Sequence, residues 1–373
     1  MNAEPGNAAA AMRAFATAEV RPQLPQLDSH SFPNGLWRRM GDAGLLGIGI
    51  AETRGGQGGG YREIGLAGRA LVAGGGSLGL GMSWMLHSLV GSHLLQRFAD
   101  ARQQQAYLPA MAAGRITASV AISEPGAGAH PKHLRTAARR EGEDFRIDGE
   151  KSYVTNGPIA DLYIVLAITS ETAGRKSFSA FLVPRDTPGR SIVETAPFDF
   201  FKPSPHCGLK FEDCRVPASA LLGPEGKAFQ AFAGPFRDIE DAVSTALSSG
   251  AAAFLLGRLA ELARAQGQPD DAAAEQFGSL AATSAVLAST SDRLLEHLEI
   301  GSPVGDLAPL LLGFRQLNRQ FASDIEACRT ALGLPADRAI ATLTRDLAKS
   351  MDIAKLPRLM KQRALGKQVW NGS

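Results

Sequence analysis

Two neighbouring segments, residues 116–128 and 148–157, constrain the fold of this chain more than any other part of it. In the first, apolar residues at 116, 118, 120 and 122 alternate with hydroxyl residues at 117, 119 and 123. This period of two predicts a half-buried β-strand. The strand runs into Glu124-Pro125-Gly126-Ala127-Gly128, where a fixed proline angle and two glycines let backbone N–H groups approach a bound group closely.

The second segment predicts a β-hairpin. Asp148-Gly149 is a strong signal for a two-residue turn, which delivers a strand over Lys151–Thr155 that closes at Asn156-Gly157. Side by side, the two strand ends would line one flat slot with two hydroxyls and one aromatic ring: Ser123, Thr155 and Tyr153. The alternative is an ordinary β-sandwich hairpin with common turn residues.

Composition narrows the class of protein. The 373 residues suffice for two or three domains. Lys and Arg number 39 against 37 Asp and Glu, a net charge of +2 without a basic block, which argues against nucleic acid as a partner. None of the three cysteines has a CxxC or metal-ligand spacing, which indicates a reducing compartment and no metal site. Without a signal-peptide pattern or an uncharged apolar run of spanning length, the sequence predicts a cytoplasmic protein.

The chain divides into three parts by its hydrophobic pattern. Residues 1–115 predict helices, separated by glycine clusters at 55–60 and 74–76, and the first cluster lacks the spacing of a dinucleotide-binding turn. Residues 116–225 predict short strands, and residues 226–373 predict a second helical region. Its best-marked helix, Leu310–Leu332, has one apolar stripe typical of bundle packing: Leu310, Phe314, Leu317, Phe321, Ile325, Cys328 and Leu332.

The two opening segments, ISEPGAGAH and DGEKSYVTNG, resemble the flavin-binding region of the acyl-CoA dehydrogenase family in order, spacing and most residue types. Two further stretches, LLGIGIAETRGGQGG and KPSPHCGLKFEDCRVP, are similar to family segments before and after them. The resemblance implies an α+β fold with an N-terminal helical domain (1–115), a middle β-sandwich or barrel domain (116–225) and a C-terminal four-helix bundle (226–373).

The resemblance also implies a cofactor and a reaction. Family members bind FAD and oxidise an acyl thioester, carried by CoA or a carrier protein, to its α,β-enoyl form. Carried over by position, the cofactor-binding residues would be Val120, Ile122, Ser123, Gly128, Ala129, Tyr153 and Thr155. The backbone at 120 and 122 and the Ser123 hydroxyl would meet the flavin edge, and Gly128 would approach the pyrophosphate or ribityl region. Tyr153 would pack on the ring, and Thr155 would hydrogen-bond near its reactive nitrogen.

The chain departs from the family at several motifs. Ala129-His130 stands where Ser-Asp is usual, which removes a hydroxyl that commonly serves FAD phosphate or substrate. The R-x-x-F-G motif that usually reaches the neighbouring subunit's FAD is degenerate at residues 264–267, and the Q-x-x-G-G-x-G turn keeps one glycine at residues 329–335. An Arg345-Asp346 pair remains, but no Glu follows it where most members keep the catalytic base.

The base has therefore moved, or it is missing. Isovaleryl and long-chain members carry it on the first helix of the C-terminal bundle, where Glu240 lies within one residue of the expected place. Glu240 is the predicted base, an exposed helix carboxylate is the alternative, and Asp346 and Asp352 are weaker candidates.

Three functions follow from these features. The first is a FAD-dependent acyl thioester dehydrogenase, the second a catalytically inactive or flavin-free paralogue that binds an acyl thioester or a partner subunit, and the third a flavin monooxygenase or oxidase. The resemblance implies acyl-CoA or an acyl carrier protein as substrate, electron-transfer flavoprotein as a partner, and a homodimer or homotetramer.

Overall fold

The structure is a computed structural model that describes residues 7–195, 198–301, 307–353 and 355–371. Helices come first, a β-sheet follows, and helices close the chain, in the order that the sequence predicts. The N-terminal helices are α1 (Asn7–Phe15), α2 (Leu24–Leu27), α3 (Asn34–Asp42), α4 (Tyr61–Gly75), α5 (Leu78–Leu89), α6 (Gln96–Phe98) and α7 (Ala101–Ala112). A π-helical segment, Val90–Leu95, joins α5 to α6.

The described strands form one sheet. They are β1 (Ala118–Ala121), β2 (Ala137–Glu141), β3 (Asp144–Thr155), β4 (Leu162–Thr172), β5 (Arg175–Pro184), β6 (Arg190–Val193), β7 (His206–Pro217) and β8 (Leu221–Leu222). Their order is β6-β7-β3-β2-β4-β5-β8, and β1 pairs with β4 in parallel. Residues of β4 alternate between two cores: Tyr163 lies in the sheet's own core, and Ile164 lies in the core shared with the helices.

The C-terminal helices are α8 (Gly234–Arg264), α9 (Asp271–Glu299), α10 (Ala308–Ala331), α11 (Arg338–Asp352) and α12 (Lys355–Trp370). Helix α8 is central and packs on α4, α5, α9 and α10. Its Gly250 permits the approach to α4, because a Cβ there would lie 2.4 Å from the Arg69 carbonyl oxygen. Among the described residues, the helical stretch Phe229–Arg264 has the length and composition of a membrane span, but 72% of its apolar window is buried inside the protein.

Three local predictions are wrong. Asp148-Gly149 is not a hairpin turn, because β3 runs through it without a break. The pairing of β3 with β7 shifts register between Ile147 and Gly149, which makes this a bulge. Gly149 has φ 143°, and a Cβ there would lie 2.7 Å from Cα of Thr136. Glycine is therefore needed here for a close backbone approach rather than for a turn.

The other two errors concern which side chains are buried. In β1, Ser119 is fully buried whereas Val120, and Ile122 just after the strand, are half-buried, because the sheet and the helices cover both faces of the strand. In α10, Leu317 is exposed and Asn318 is buried in its place. The remainder of the α10 stripe packs as predicted or lies at its margin.

Candidate cofactor and substrate site

Strand β1 and the residues after it lie beside the last residues of β3, so the two motifs are neighbours. The hydroxyl of Ser119 donates a hydrogen bond to the carbonyl of Thr155, and the backbone N–H of Ser152 donates to the carbonyl of Ser123 at 2.8 Å. The two segments therefore run in opposite directions past each other. Ser123 and Thr155 lie at opposite ends of this crossing, four residues or roughly 13 Å apart along an extended chain.

Tyr153 lies on a bulge. The pairing of β3 with β7 shifts register between Lys151 and Val154, and Tyr153 has φ 57°. A left-handed conformation is rare for an aromatic residue, and such outliers cluster at functional sites. The extra residue leaves Lys151 and Val154 both buried and the Tyr153 side chain 63% exposed. Its ring is nearly parallel to that of Phe198, with centroids 6.1 Å apart.

A buried ion pair joins the two motifs. Nζ of Lys151 donates hydrogen bonds to Oε1 of Glu124 at 2.8 Å and to the carbonyl of Ile122 at 3.1 Å. Burial lowers the pKa of Lys151 to about 8, although the Glu124 carboxylate opposes that shift. Burial raises the pKa of Glu124, but the charge and hydrogen bond of Lys151 outweigh it and the net shift is downward. The pair fixes the loop that follows β1 over the part of β3 next to the Tyr153 bulge.

The glycine loop at the end of the first motif faces open space. Gly126 has φ 72° and Gly128 has φ 55°, and no atom lies within 4 Å of a Cβ built on either. The hydroxyls of Ser123 and Thr155 are half-buried and have no hydrogen-bond partner among the described residues. Exposed glycines with open space beside them, hydroxyls without a described partner and an exposed aromatic ring suit a planar cofactor with a phosphate-bearing tail, so the residues present fit FAD.

The other predicted cofactor residues lie on the same segment. Val120 is half-buried and pairs with Ile164 on β4. Ile122 is half-buried, and its carbonyl is already bound by Lys151. Ala129 is half-buried and His130 is exposed, which places both at the rim of the loop.

The C-terminal end of β3 is attached to helix α5. The side-chain amide of Asn156 donates to the Ser83 carbonyl at 2.9 Å, and the Ser83 hydroxyl donates to that of Ser204 at 2.9 Å. Asn156 has φ 62°, which ends the strand as predicted. Helix α5 in turn packs on α8, where a Cβ on Gly81 would lie 3.2 Å from Leu247. The sheet motifs therefore connect through α5 to the helix that carries Glu240.

Glu240 lies two turns before Leu247 on the same face of α8, about 10.5 Å along the helix axis. Its side chain is half-buried and has no hydrogen bond or ion pair with any described residue. Burial, and then the adjacent Asp241 carboxylate, raise the pKa of Glu240 to about 7, against a smaller opposing effect of Arg237. The exposed helix carboxylate considered as the alternative is not what the structure shows.

The acidic side chains next to Glu240 on α8 form ion pairs. Asp241 contacts Arg315 of α10 at 2.9 Å, and Asp238 contacts Lys361 of α12 at 2.6 Å. Asp346 is buried against Arg345, and burial raises its pKa to about 6. The side chain of Asp352 lies outside the described part of the chain. Glu240 is thus the carboxylate on this helix that remains available for a proton.

Lys151 and Ser119 were not among the predicted site residues. The sequence contains a feature that could have identified each of them. A lysine in one motif and a glutamate in the other are opposite charges on segments expected to lie side by side. The small hydroxyl of Ser119 was assigned to a solvated face, although it bridges the two segments.

Comparison with known proteins identifies the family of this chain. The N-terminal domain of the acyl-CoA dehydrogenase family matches residues 4–115 and the middle domain matches residues 119–214, together over half of the chain. A probable acyl-CoA dehydrogenase YngJ of Bacillus subtilis is 35% identical over 222 residues, 58% of this chain and 57% of that protein. An L-prolyl-[peptidyl-carrier protein] dehydrogenase of Pseudomonas fluorescens is 34% identical over 60% of this chain and 59% of its own length. The chain thus matches less than two thirds of either relative.

Solved structures extend the likeness to the whole fold. Butyryl-CoA dehydrogenase from Megasphaera elsdenii has a TM-score of 0.87 at 20% identity, covering 98% of both chains. The FAD complex of PigA has a TM-score of 0.84 at 21% identity, covering 100% of this chain and 99% of the other. The chain therefore shares the three-part fold of these structures, with helical, sheet and helical regions. The chain belongs to the acyl-CoA dehydrogenase family, which confirms the predicted fold and, at the level of the family, the predicted FAD.

Proposed function

We propose that this chain is a FAD-dependent dehydrogenase that converts an acyl thioester to its α,β-enoyl form, with Glu240 as the base. One observation carries the proposal: a half-buried carboxylate without a partner, with a pKa of about 7, on the helix that connects through α5 to the cofactor motifs. A base is most effective when its pKa lies near the working pH.

Different residues of the chain would bind the cofactor and remove the proton. The β1 and β3 ends would hold the flavin through Val120, Ile122, Ser123, Gly128, Ala129, Tyr153 and Thr155. When bound, FAD supplies the acceptor for the hydride that leaves the β-carbon. Glu240 would take the α-proton. The α C–H group is a very weak acid, so the thioester oxygen must be hydrogen-bonded and the base must be held close. Because Glu240 is half-buried, its carboxylate is less hydrated than a surface acid and so a stronger base.

The finer properties belong to the same proposal. The substrate is an acyl-CoA or acyl-carrier-protein thioester, electrons pass to an electron-transfer flavoprotein, and the chain works as a homodimer or homotetramer in the cytoplasm. The exposed apolar side chains of α12, Met360, Val369 and Trp370, support an oligomer.

Two measurements test the function. Purified protein should show flavin absorbance, and a panel of acyl-CoAs should bleach it under anaerobic conditions. Glu240→Gln should keep the colour and lose the bleaching, because the amide has the shape of the acid but cannot accept the proton. Asp238→Asn, a change of the same kind two residues away, should keep both.

A protein that stays colourless with added FAD contradicts the proposal and favours the flavin-free paralogue. Bleaching at the wild-type rate by Glu240→Gln would leave the dehydrogenase and place the base elsewhere.

A further inference from the structure

The loop that follows the glycines carries a cluster of basic side chains, His130, Lys132, His133 and Arg135, which we call the basic loop. All four are exposed. Neither Lys132 nor Arg135 has an ion pair among the described residues, and the two imidazole rings lie 4.9 Å apart at an angle of 35°. The flavin and the base do not account for these groups.

The backbone of the basic loop is held in place while its side chains stay free. The Glu124 carboxylate accepts hydrogen bonds from the backbone N–H of Arg135 at 2.6 Å and of Thr136 at 3.0 Å. On the other side, Nζ of Lys176 donates to the carbonyls of Lys132 and Leu134, both at 2.9 Å. A rigid loop loses little conformational freedom when its side chains bind a ligand.

Among the described residues, no carboxylate forms an ion pair with Lys132 or Arg135 of the basic loop. Glu124 is the acid that touches it, and that carboxylate is buried and paired with Lys151. Position 130 is where the family usually has an aspartate, so this chain replaces an acid with an imidazole there. Glu171 lies opposite Lys176, the lysine that holds the loop's backbone, across the β4–β5 pair.

We propose that the basic loop binds the phosphate of the phosphopantetheine arm that carries the acyl thioester. The inference rests on the proposed function, since it names a contact for the same substrate. Phosphate oxygens accept strong, charge-assisted hydrogen bonds from Lys and Arg, and imidazole N–H groups add weaker donors. The basic loop begins two residues after Gly128, which like Gly126 is exposed with open space beside it, so a bound arm would leave the cofactor bed across this loop.

The test compares two probes that differ by one phosphate, 4′-phosphopantetheine and pantetheine, by isothermal titration of the flavin-loaded protein. The wild type should bind 4′-phosphopantetheine about tenfold more tightly, and the advantage should shrink as salt is raised towards 1 M, where the screening length is about 3 Å. The variant Lys132→Glu with Arg135→Glu should lose the advantage. A matched control, Arg38→Glu with Arg102→Glu, makes the same charge change at two exposed arginines of α3 and α7 and should retain it.

The outcomes separate this inference from the proposed function. Equal binding of the two probes, no measurable binding of 4′-phosphopantetheine, or an advantage that survives in the basic-loop variant overturns it. The inference is also overturned if the basic-loop variant loses FAD but still binds 4′-phosphopantetheine more tightly than pantetheine, because the loop then binds the cofactor. Failure of the dehydrogenase itself would appear instead as absent bleaching. A third probe, CoA, identifies the carrier. If CoA binds more tightly than 4′-phosphopantetheine, the carrier is CoA. If CoA and 4′-phosphopantetheine bind equally tightly, the carrier is a protein, and both results support the proposal.

Discussion

The ammonium of Lys151 lies 2.8 Å from the Glu124 carboxylate, with both side chains almost completely buried. The two residues are 27 positions apart and belong to the two motifs that would form the flavin bed. Their contact sets how the loop after β1 lies over the bulge of β3. Glu124 also accepts the two backbone N–H groups that end the basic loop, so one carboxylate orients both the cofactor bed and the loop beside it.

Replacing Lys151 by Met should lower the free energy of unfolding by about 3–5 kcal/mol, because it leaves the Glu124 carboxylate buried without its charge partner. Urea unfolding followed by circular dichroism measures the change. Lys210→Met, at the exposed Lys210–Glu212 pair, is the control and should unfold at the wild-type midpoint. Adding Glu124→Gln to Lys151→Met should recover part of the loss, and a double variant no more stable than the single one would contradict this explanation.

The rate of flavin reduction by substrate should rise with pH through a midpoint of about 7. Burial raises the pKa of Glu240 to about 7, and the protonated acid cannot take the α-proton below that pH. Stopped-flow measurement of bleaching from pH 5 to 9 detects this limb. A rate that is flat across the range would show that Glu240 is not the group that titrates.

Asp241→Asn should move the same limb to lower pH. The Asp241 carboxylate helps to raise the pKa of Glu240, and its removal also leaves the Arg315 guanidinium without its partner. Both effects favour the charged form of Glu240. The pH profile of bleaching is again the measurement, with Asp238→Asn for comparison. A shift to higher pH would contradict the assignment.

The raised pKa of Glu240 also predicts a dependence of stability on pH. The folded protein binds this proton more tightly than the unfolded chain does, so the group's contribution is fully present below a pH of about 4.5 and is lost as the pH rises through about 7. Glu240→Gln should therefore gain stability relative to the wild type between pH 5 and 8. Urea midpoints measured at both pH values test this, and a constant difference between the two proteins would refute it.

Gly149→Ala should destabilise the protein by about 1–3 kcal/mol, because Gly149 has φ 143° and a Cβ would lie 2.6–2.9 Å from Thr136. Gly257→Ala in α8 is the opposite case, since it is helical and no atom lies within 4 Å of its Cβ position. That change should stabilise by up to about 1 kcal/mol. Thermal unfolding compares the two, and equal effects would show that the bulge does not need glycine.

By itself the sequence determined the order of helical, sheet and helical parts, the long helix α10, and the two motifs that meet at the site. Those features follow from local periodicity, from turn chemistry and from a resemblance in spacing, all of which lie within short stretches of chain. The tertiary structure decided the rest. Asp148-Gly149 reads locally as a turn, but pairing with β7 makes it a bulge. Ser119 reads as a solvated hydroxyl, but it is buried against β3, where it donates to the Thr155 carbonyl. The pKa of Glu240 depends on burial among helices that are distant in sequence, and no local pattern of residues records that burial.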